Sequence, residues 1–323
     1  MSRKQNKHTP PVLSVKELTE KARMYAKSAM APSTLRAYRS DWLQFENWCI
    51  LHRFQPLPAS PGTVALFIAD IASNHAVATI TRRLCSITER HRASGFANSP
   101  AKAHHRVVSE TMKGIRRVYG TVQKGKSPLL TADIRKIVAA CPKGTRGDRD
   151  KVLVLVGFAG AFRRSELAHM QVQDLTIHKD GLVIHLPRSK TDQEGAGRKV
   201  GIPRGYRRST CPVRAVEHWL TSTRINVGAL LRPVAKNGRV LGRGLNPDSI
   251  GLIIKRAAAR AGMEVSSIAG HSLRAGCVTQ AAINGVPDRQ IMKQTGHKSV
   301  AMLQRYIRDL KILEQNAAAR LGI

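Results

Sequence analysis

The stretch DLTIHKDGLVIHLP (174–187) alternates apolar and polar residues with a period of two on either side of Lys179-Asp180-Gly181. Such alternation around a Gly-containing turn is the pattern of a β-hairpin. KVGIP (199–203) supplies a third strand. Outward from this small sheet the chain reads as helical. Upstream, VLVLVGFAGAF (152–162) is an apolar helix running into RRSELAHM (163–170), and Thr131 caps a short helix that ends near CPKG (141–144). Downstream come PVRAVEHWL (212–220) and PDSIGLIIKRAAARAG (247–262), the latter with Asn246 as its cap and Pro247 in its first turn. Three short helices and a terminal one follow. The expected fold class is mostly α with one small antiparallel sheet.

Toward the N-terminus the pattern is helical from about 15 to 119. Leu35, Tyr38, Trp42, Phe45 and Trp48 recur at three- and four-residue steps, an apolar stripe on a helix starting near Ser33. PLPASPG (56–62) ends that helix and starts another carrying Val64, Phe67, Ile68 and Ile71. Two more helices are expected around 77–93 and 101–119. Their outward faces carry Arg82, Arg83, Arg90, Arg92, Lys102, Arg106, Lys113, Arg116 and Arg117. A charge run is often just a solvated face, but positive charge this poorly opposed on consecutive helices predicts a surface that tracks phosphates. The sequence therefore divides into a flexible basic arm (1–12), a helical domain (13–119), a linker (120–129) and a mixed domain (130–323). The linker, GTVQKGKSP (120–128), contains a formal P-loop match ending at Lys126-Ser127. A phosphate-binding loop needs a strand before its glycines and a helix opening at its lysine. Here a basic helical segment precedes it and Pro128 follows, so nucleotide binding is not expected.

Charge narrows the partner. Lys and Arg number 54 against 21 acidic residues, a net +33, and 42% of the 323 residues are apolar, enough for packed cores. The excess is spread along the chain: residues 1–130 hold 21 basic and 7 acidic, and 131–323 hold 33 and 14. Both halves are expected to meet a polyanion. No apolar run approaches the roughly 20 residues that span a bilayer, and the basic N-terminus lacks the apolar stretch of a secretory signal. Nucleic acid is thus favoured over a membrane. Cys49, Cys85, Cys141, Cys211 and Cys277 are widely spaced and odd in number, which suits reduced packing thiols in a cytoplasmic, DNA-associated protein better than disulfides or zinc.

Breaking a phosphodiester needs in-line attack, positive charge on the nonbridging oxygens and a proton for the leaving oxygen. With few carboxylates and no metal-ligand pattern, this chain would use arginine forks, whose donors match phosphate oxygens in pairs. GHSLRAG (270–276) places His271 and Arg274 one helical turn apart, and TGHKSVAMLQRYIR (295–308) places His297 nine residues before Tyr306. AFRRSEL (161–167) contributes Arg163 and Glu166, with Arg164 as the rival at the first position, and PRSKT (187–191) contributes Lys190, with Lys199 as a fallback.

Each motif alone is weak. Their ordered series resembles the tyrosine recombinase (phage integrase) family, and within it the Cre-like simple recombinases. The resemblance covers the plan of the whole chain and is sharpest from about 157 to 308. It implies a two-domain DNA clamp, with the helical core-binding domain over one face of the duplex and an α+β catalytic domain over the other. Tyr306 would be the nucleophile, forming a 3′-phosphotyrosine without metal or ATP. Arg163 and Arg274 would grip the scissile phosphate, with Glu166 orienting Arg163. Lys190 would be the general acid, His271 a proton acceptor or phosphate ligand, and His297 a hydrogen bond to the phosphate. The partners implied are double-stranded DNA carrying a specific recombination site and three further copies of the chain. In that tetramer the last segment, LKILEQNAAARLGI (310–323), would dock on a neighbour. His297 stands where close Cre relatives have Trp, Met302 where many integrases have Thr, and Ala275 where many have a second His. The rival readings are a type IB topoisomerase-like relaxing enzyme and a DNA-binding regulator that does not cut.

Overall fold

Ser14 opens the first helix with a capping box: its amide donates to the Glu17 carboxylate at 2.7 Å, and its hydroxyl accepts from the Glu17 amide at 3.3 Å. This is α1 (Val15–Ser28) in a computed structural model that describes residues 13–101, 105–121, 125–187, 197–304 and 306. The arm (1–12), Lys102, the hairpin exit with Lys190, and 310–323 lie outside the described residues. The chain divides into two compact units, Met1–Lys124 and Gly125–Ile323.

In the first unit α2 (Pro32–Leu51), α3 (Pro61–Asp70), α4 (Val77–Ala93) and α5 (Arg106–Tyr119) enclose one core. The stripe on α2 buries Trp42, Phe45 and Cys49, which meet Phe67 and Ile68 of α3, Ile80 and Ile87 of α4, and Met112 and Ile115 of α5. Leu35, at the start of the stripe, stays exposed. Ser60 caps α3 by accepting from the Thr63 amide at 3.0 Å, with Pro61 in the first turn, where a missing N–H costs nothing. The last helix starts at Arg106, later than its pattern suggested.

The second unit holds α6 (Thr131–Ala139), α7 (Thr145–Ala159), α8 (Arg164–His169), the three strands, α9 (Pro212–Thr223), α10 (Pro247–Arg260), α11 (Ser272–Ile283), α12 (Asp288–Thr295) and α13 (Val300–Gln304). Its central helix is α7, where Val152 through Val156 are all buried. The strands β1 (Leu175–Ile177), β2 (Gly181–Leu186) and β3 (Arg198–Pro203) lie in sequential antiparallel order. Ile184 pairs with Val200, and Leu182 with Ile202, so their side chains share the face turned to the core. Asn246 caps α10 by accepting from the Asp248 amide at 2.9 Å, as its sequence signals.

Four sequence expectations need correction. Thr131 does not cap α6 but is its first residue; the preceding Leu130 amide donates to Asp133 at 2.9 Å. The apolar run at 152–162 does not continue into α8. Helix α7 stops at Ala159, Ala161 takes φ 50, and fully buried Phe162 anchors the turn before Arg163. The P-loop match is not among these, for it has the context that the sequence implied: helix α5 precedes it, among the described residues no helix opens until Thr131, and Ser127 donates its amide to Ser267 O at 3.0 Å. Cys85 is exposed rather than packed. No described helix is long and apolar enough to cross a membrane.

The fourth expectation to fail is the most informative for DNA contacts: Arg83 is not on an outward face. It is 4% exposed, and its Nη2 donates to Gln44 Oε1 and to His75 Nε2 (3.0 Å), while Asp41 Oδ1 lies 3.8 Å from Nε. Burial outweighs the Asp41 carboxylate and draws its pKa below the usual arginine value. Its neighbour Arg82 is half exposed but tied to Asp41 by two bonds of 2.7 and 2.9 Å. Arg83→Ala empties a buried site, strips Gln44 and His75 of their donor and removes a cation near Asp41, and is expected to cost about 3 kcal/mol or more. Arg82→Ala removes both short hydrogen bonds of buried Asp41 but leaves the Arg83 cation beside it and lets water into the vacated, half-exposed site, and is expected to cost about 1–2 kcal/mol. Denaturant unfolding of the two variants checks this order, which a DNA-contact role for Arg83 would not produce.

Candidate active site

Arg274 is the centre of a cluster in the second unit. Gly276 lets α11 approach the chain at Leu129, for a Cβ there would lie 1.9 Å from the Leu129 carbonyl oxygen. Ser272 adds a second tie at this end of α11: its carbonyl accepts from the Leu129 amide at 3.1 Å, and its hydroxyl from the Ala269 amide at 3.0 Å. This seating carries Arg274 inward until only 1% of it is exposed. Its Nη1 donates to Ala161 O and to Thr295 O, both at 2.7 Å, and its Nη2 donates to His297 Nε2 at 2.9 Å. The turn after α7 therefore does chemical duty, presenting Ala161 O to Arg274 and Arg163 to the same neighbourhood. Desolvation, with the cation of Arg163 next, lowers the Arg274 pKa to about 10, so the guanidinium remains charged at neutral pH.

His297 is bonded at both nitrogens. The Thr295 hydroxyl donates to Ile291 O at 2.7 Å, so at 2.8 Å it accepts from His297 Nδ1–H. Nε2 is then the acceptor for Arg274, which fixes the neutral tautomer. Burial, followed by the charge of Arg274, lowers the His297 pKa to about 4. As described, Nε2 has no hydrogen to give a phosphate; its bond goes to the arginine instead. Gly296, at φ 71, makes the turn between α12 and this residue.

His271 sits at the start of α11 with its ring still reaching solvent, and its Nε2 lies 2.6 Å from the Tyr306 hydroxyl. Partial desolvation, then the guanidiniums of Arg274, Arg163 and Arg164, hold its pKa below the usual imidazole value. Tyr306 is half-buried, packed against Val278, Ala282, Ile291 and Leu303, with its amide donating to Leu303 O at 2.9 Å. Its ring centroid is 5.8 Å from that of His271 and 5.7 Å from that of His297.

Arg163 and Arg164, adjacent in sequence, have different fates. Glu166 accepts from the Arg163 amide at 2.8 Å and from its Nη1 at 2.6 Å, closing the first turn of α8. Arg164 instead runs along Gly270 and pairs with Asp248 at 3.1 Å. Glu166 is itself buried and faces a second arginine, Arg198, whose Nη2 lies 3.5 Å from Oε2. Sequence reading missed Arg198, although alternation along β3 puts it on the face of Val200 and Ile202. Lys199, the fallback acid, is exposed on the opposite face, paired across to His185. Six described residues expected in a site, Arg163, Glu166, His271, Arg274, His297 and Tyr306, thus fall into one neighbourhood; Lys190 lies outside the described residues.

In the first unit, Arg106, Lys113 and Arg117 follow spacings of seven and four and share the face of α5 opposite buried Ile115. Arg106 pairs with Glu110 at 2.7 Å; Lys113, Arg116 and Arg117 are exposed with no ion pair among the described residues. Arg90 is exposed, with its guanidinium 5.5 Å from the Trp42 ring centroid. Arg92 pairs with Glu89 at 2.7 Å.

Residues 128–311 match the phage integrase family. The chain is 39% identical over 305 residues to an integrase/recombinase XerD homolog of Selenomonas ruminantium, covering 94% of this chain and 89% of that one. It is 25% identical over 315 residues to the recombinase Cre of Escherichia phage P1, covering 91% and 89%. Among solved structures it resembles a lambda integrase dimer bound to a COC′ core site (TM-score 0.59, 16% identity, 90% of this chain and 94% of that one). It also resembles the Tn1549 transposon integrase in complex with transposon right end DNA (TM-score 0.61, 13% identity, 91% and 94%).

The His297 arrangement makes a prediction that needs no substrate. Its folded pKa of about 4 lies below the 6.5 of a free imidazole, so the unfolded chain binds the extra proton first as pH falls. The stability it contributes is complete above pH 6.5 and is lost as pH drops toward 4, by about 3 kcal/mol at most. Imidazole NMR is expected to show a neutral Nδ1–H tautomer throughout that window. The melting temperature should fall with pH more steeply in the wild-type chain than in His297→Gln.

Proposed function

Because the chain belongs to the phage integrase family of tyrosine recombinases, enzymes that recombine DNA, we propose that Tyr306 attacks a phosphodiester within a specific duplex site and leaves a 3′-phosphotyrosine. The observation that carries this reading is the 2.6 Å approach of the Tyr306 hydroxyl to a histidine kept neutral by its surroundings. A free tyrosine has a pKa near 10, so its proton must leave during attack, and neutral His271 Nε2 is placed to accept it. Arg163 and Arg274 supply positive charge to the nonbridging oxygens, where developing charge is stabilised most effectively. The His297 ring, by accepting from Arg274, aims that guanidinium. Lys190, in the hairpin exit, protonates the 5′-oxygen as it departs. The phosphodiester energy is kept in the phosphotyrosine, so resealing by the freed 5′-hydroxyl consumes no nucleotide.

The electrostatic balance supports the same reading. Arg163, Arg198 and Arg274 set against Glu166 leave an excess of two positive charges with both histidines neutral. The phosphorane formed with the phenolate carries two negative charges, and the proton that His271 takes from the phenol places a third positive charge beside it as the second negative one appears.

We assign DNA backbone contact in the first unit to Arg90, Arg106, Lys113, Arg116 and Arg117. Arg82 is largely committed to Asp41, and Arg83 is withdrawn as a contact. Binding through such residues releases counterions, so affinity falls steeply with salt. A lambda integrase structure similar to this chain is a tetramer bound to a Holliday junction (TM-score 0.56, 16% identity), and we extend that assembly here, with 310–323 docking on a neighbour.

Two experiments test the chemistry on a pool of nicked duplexes of randomised sequence selected for binding to the wild-type chain. Wild type should form an SDS-resistant protein–DNA adduct, and Tyr306→Phe should bind the same pool without forming one; an adduct in the variant would reject Tyr306. Lys190→Ala should cleave slowly, and a 5′-bridging phosphorothiolate should restore its rate, because sulfur leaves without a proton. Rescue of Lys199→Ala alone would move the acid to that residue.

A further inference from the structure

We infer that Arg198 is a positioning residue for strand cleavage, fastening Glu166 and through it Arg163 to the turn that presents His297. The inference rests on the reading of the site given above. Arg198 begins β3 on the core-facing side of the strand, and its side chain is 18% exposed. Its Nη1 donates to Gln294 O at 2.8 Å, in the last turn of α12, two residues before Gly296. Its Nη2 faces Glu166 Oε2 at 3.5 Å. The guanidinium lies close against Gly296, where a Cβ would come within 3.2 Å of Nε. Gln294 closes the same junction from the other side, its side-chain amide donating to Ala159 O at 2.9 Å and Gly201 O at 3.2 Å. One side chain thus touches the carboxylate that holds Arg163 and the backbone that leads to His297.

A purely structural tie between β3 and α12 would not need a cation. Arg198 leaves Nε and Nη2 without a hydrogen bond among the described residues, and burial opposes its charge. Keeping a charged fork under such conditions is costly unless something charged requires it. The charged group in reach is Glu166. Paired with Arg163 alone, the Glu166 carboxylate would cancel the field that Arg163 offers a phosphate. The second cation offsets that carboxylate, so that Glu166 orients Arg163 without neutralising the site.

The distinguishing experiment compares Arg198→Met, Arg198→Lys, and Arg198→Met combined with Glu166→Gln. Adduct formation is followed at saturating concentrations of the selected nicked-duplex pool, well below each variant's melting temperature. Arg198→Met should slow adduct formation by about 10- to 100-fold, the usual cost of losing a residue that orients a reacting group. The DNA concentration for half-saturation should stay at its wild-type value. Arg198→Lys keeps the charge but loses the fork and should fall between. Glu166→Gln keeps an oxygen to accept from Arg163 while removing the carboxylate charge that Arg198 no longer offsets, so the double variant should cleave faster than Arg198→Met alone. A wild-type rate in Arg198→Met, or a double variant no faster than the single one, would overturn the positioning role while leaving the function intact. Absence of any adduct from the wild-type chain would overturn the functional reading and this inference with it.

Discussion

Everything in the site leans on the burial of one guanidinium. Arg274 reaches its place because Gly276 allows α11 to press against the chain at Leu129, and it is kept there by two backbone carbonyls and an imidazole. Those three partners come from two parts of the chain: the turn after α7, and the end of α12 with the residue beyond Gly296. A buried cation left short of acceptors is expensive, so the requirement to satisfy Arg274 fixes the placement of those two segments relative to α11. Arg163 and His297 inherit their positions from it. The desolvation that makes Arg274 hard to bury also strengthens its action on any charge that forms beside it.

The fold was largely legible because its signals are local. The hairpin alternation, the Asn246-Pro247 helix start and the α2 stripe each depend on neighbours within a few residues. The break between α7 and α8 was not legible. Gly157 and Gly160 weaken a helix in GFAGAF without marking where it ends, and Ala161 adopts φ 50 because Phe162 is drawn into the core and Ala161 O is needed by Arg274. That is a tertiary demand, outweighing local propensity. Arg83 is the opposite case. It follows Ile80 by three residues and precedes Ile87 by four, the inward positions of α4, so periodicity pointed to burial and residue type argued against it.

For the site, spacing singled out His271, Arg274, His297 and Tyr306, since a motif survives in sequence when its members are fixed relative to one another. The resemblance already favoured Arg163 over Arg164, and the structure supplies the physical difference between them: Glu166 closes on one, and Asp248 draws away the other. Arg198 could not be found by composition, being one cation among 54 basic residues. Its relevance comes from Glu166, thirty-two residues earlier, and from Gln294, ninety-six residues later. Only the alternation of β3, which turns it to the same face as Val200 and Ile202, hinted that it points inward.

The charge of the whole chain and the charge of the site answer different needs. A net +33 attracts any duplex, and screening by salt weakens that attraction without regard to sequence. It does nothing to favour a transition state over an intact phosphodiester, because both lie in the same distant field. Discrimination requires cations held at contact distance and unable to relax, with a counter-charge limiting how many are uncompensated. In the proposed mechanism Glu166 serves as that limit. Without it, three neighbouring arginines would repel one another and bind the ground-state phosphate, with its single charge, too well. With it, under the proposed mechanism, the fixed excess stays at two, and a third positive charge appears on His271 only as the phosphorane gains its second negative one. A sparse set of acidic residues is therefore compatible with a finely balanced site, provided that one of them stands among the arginines.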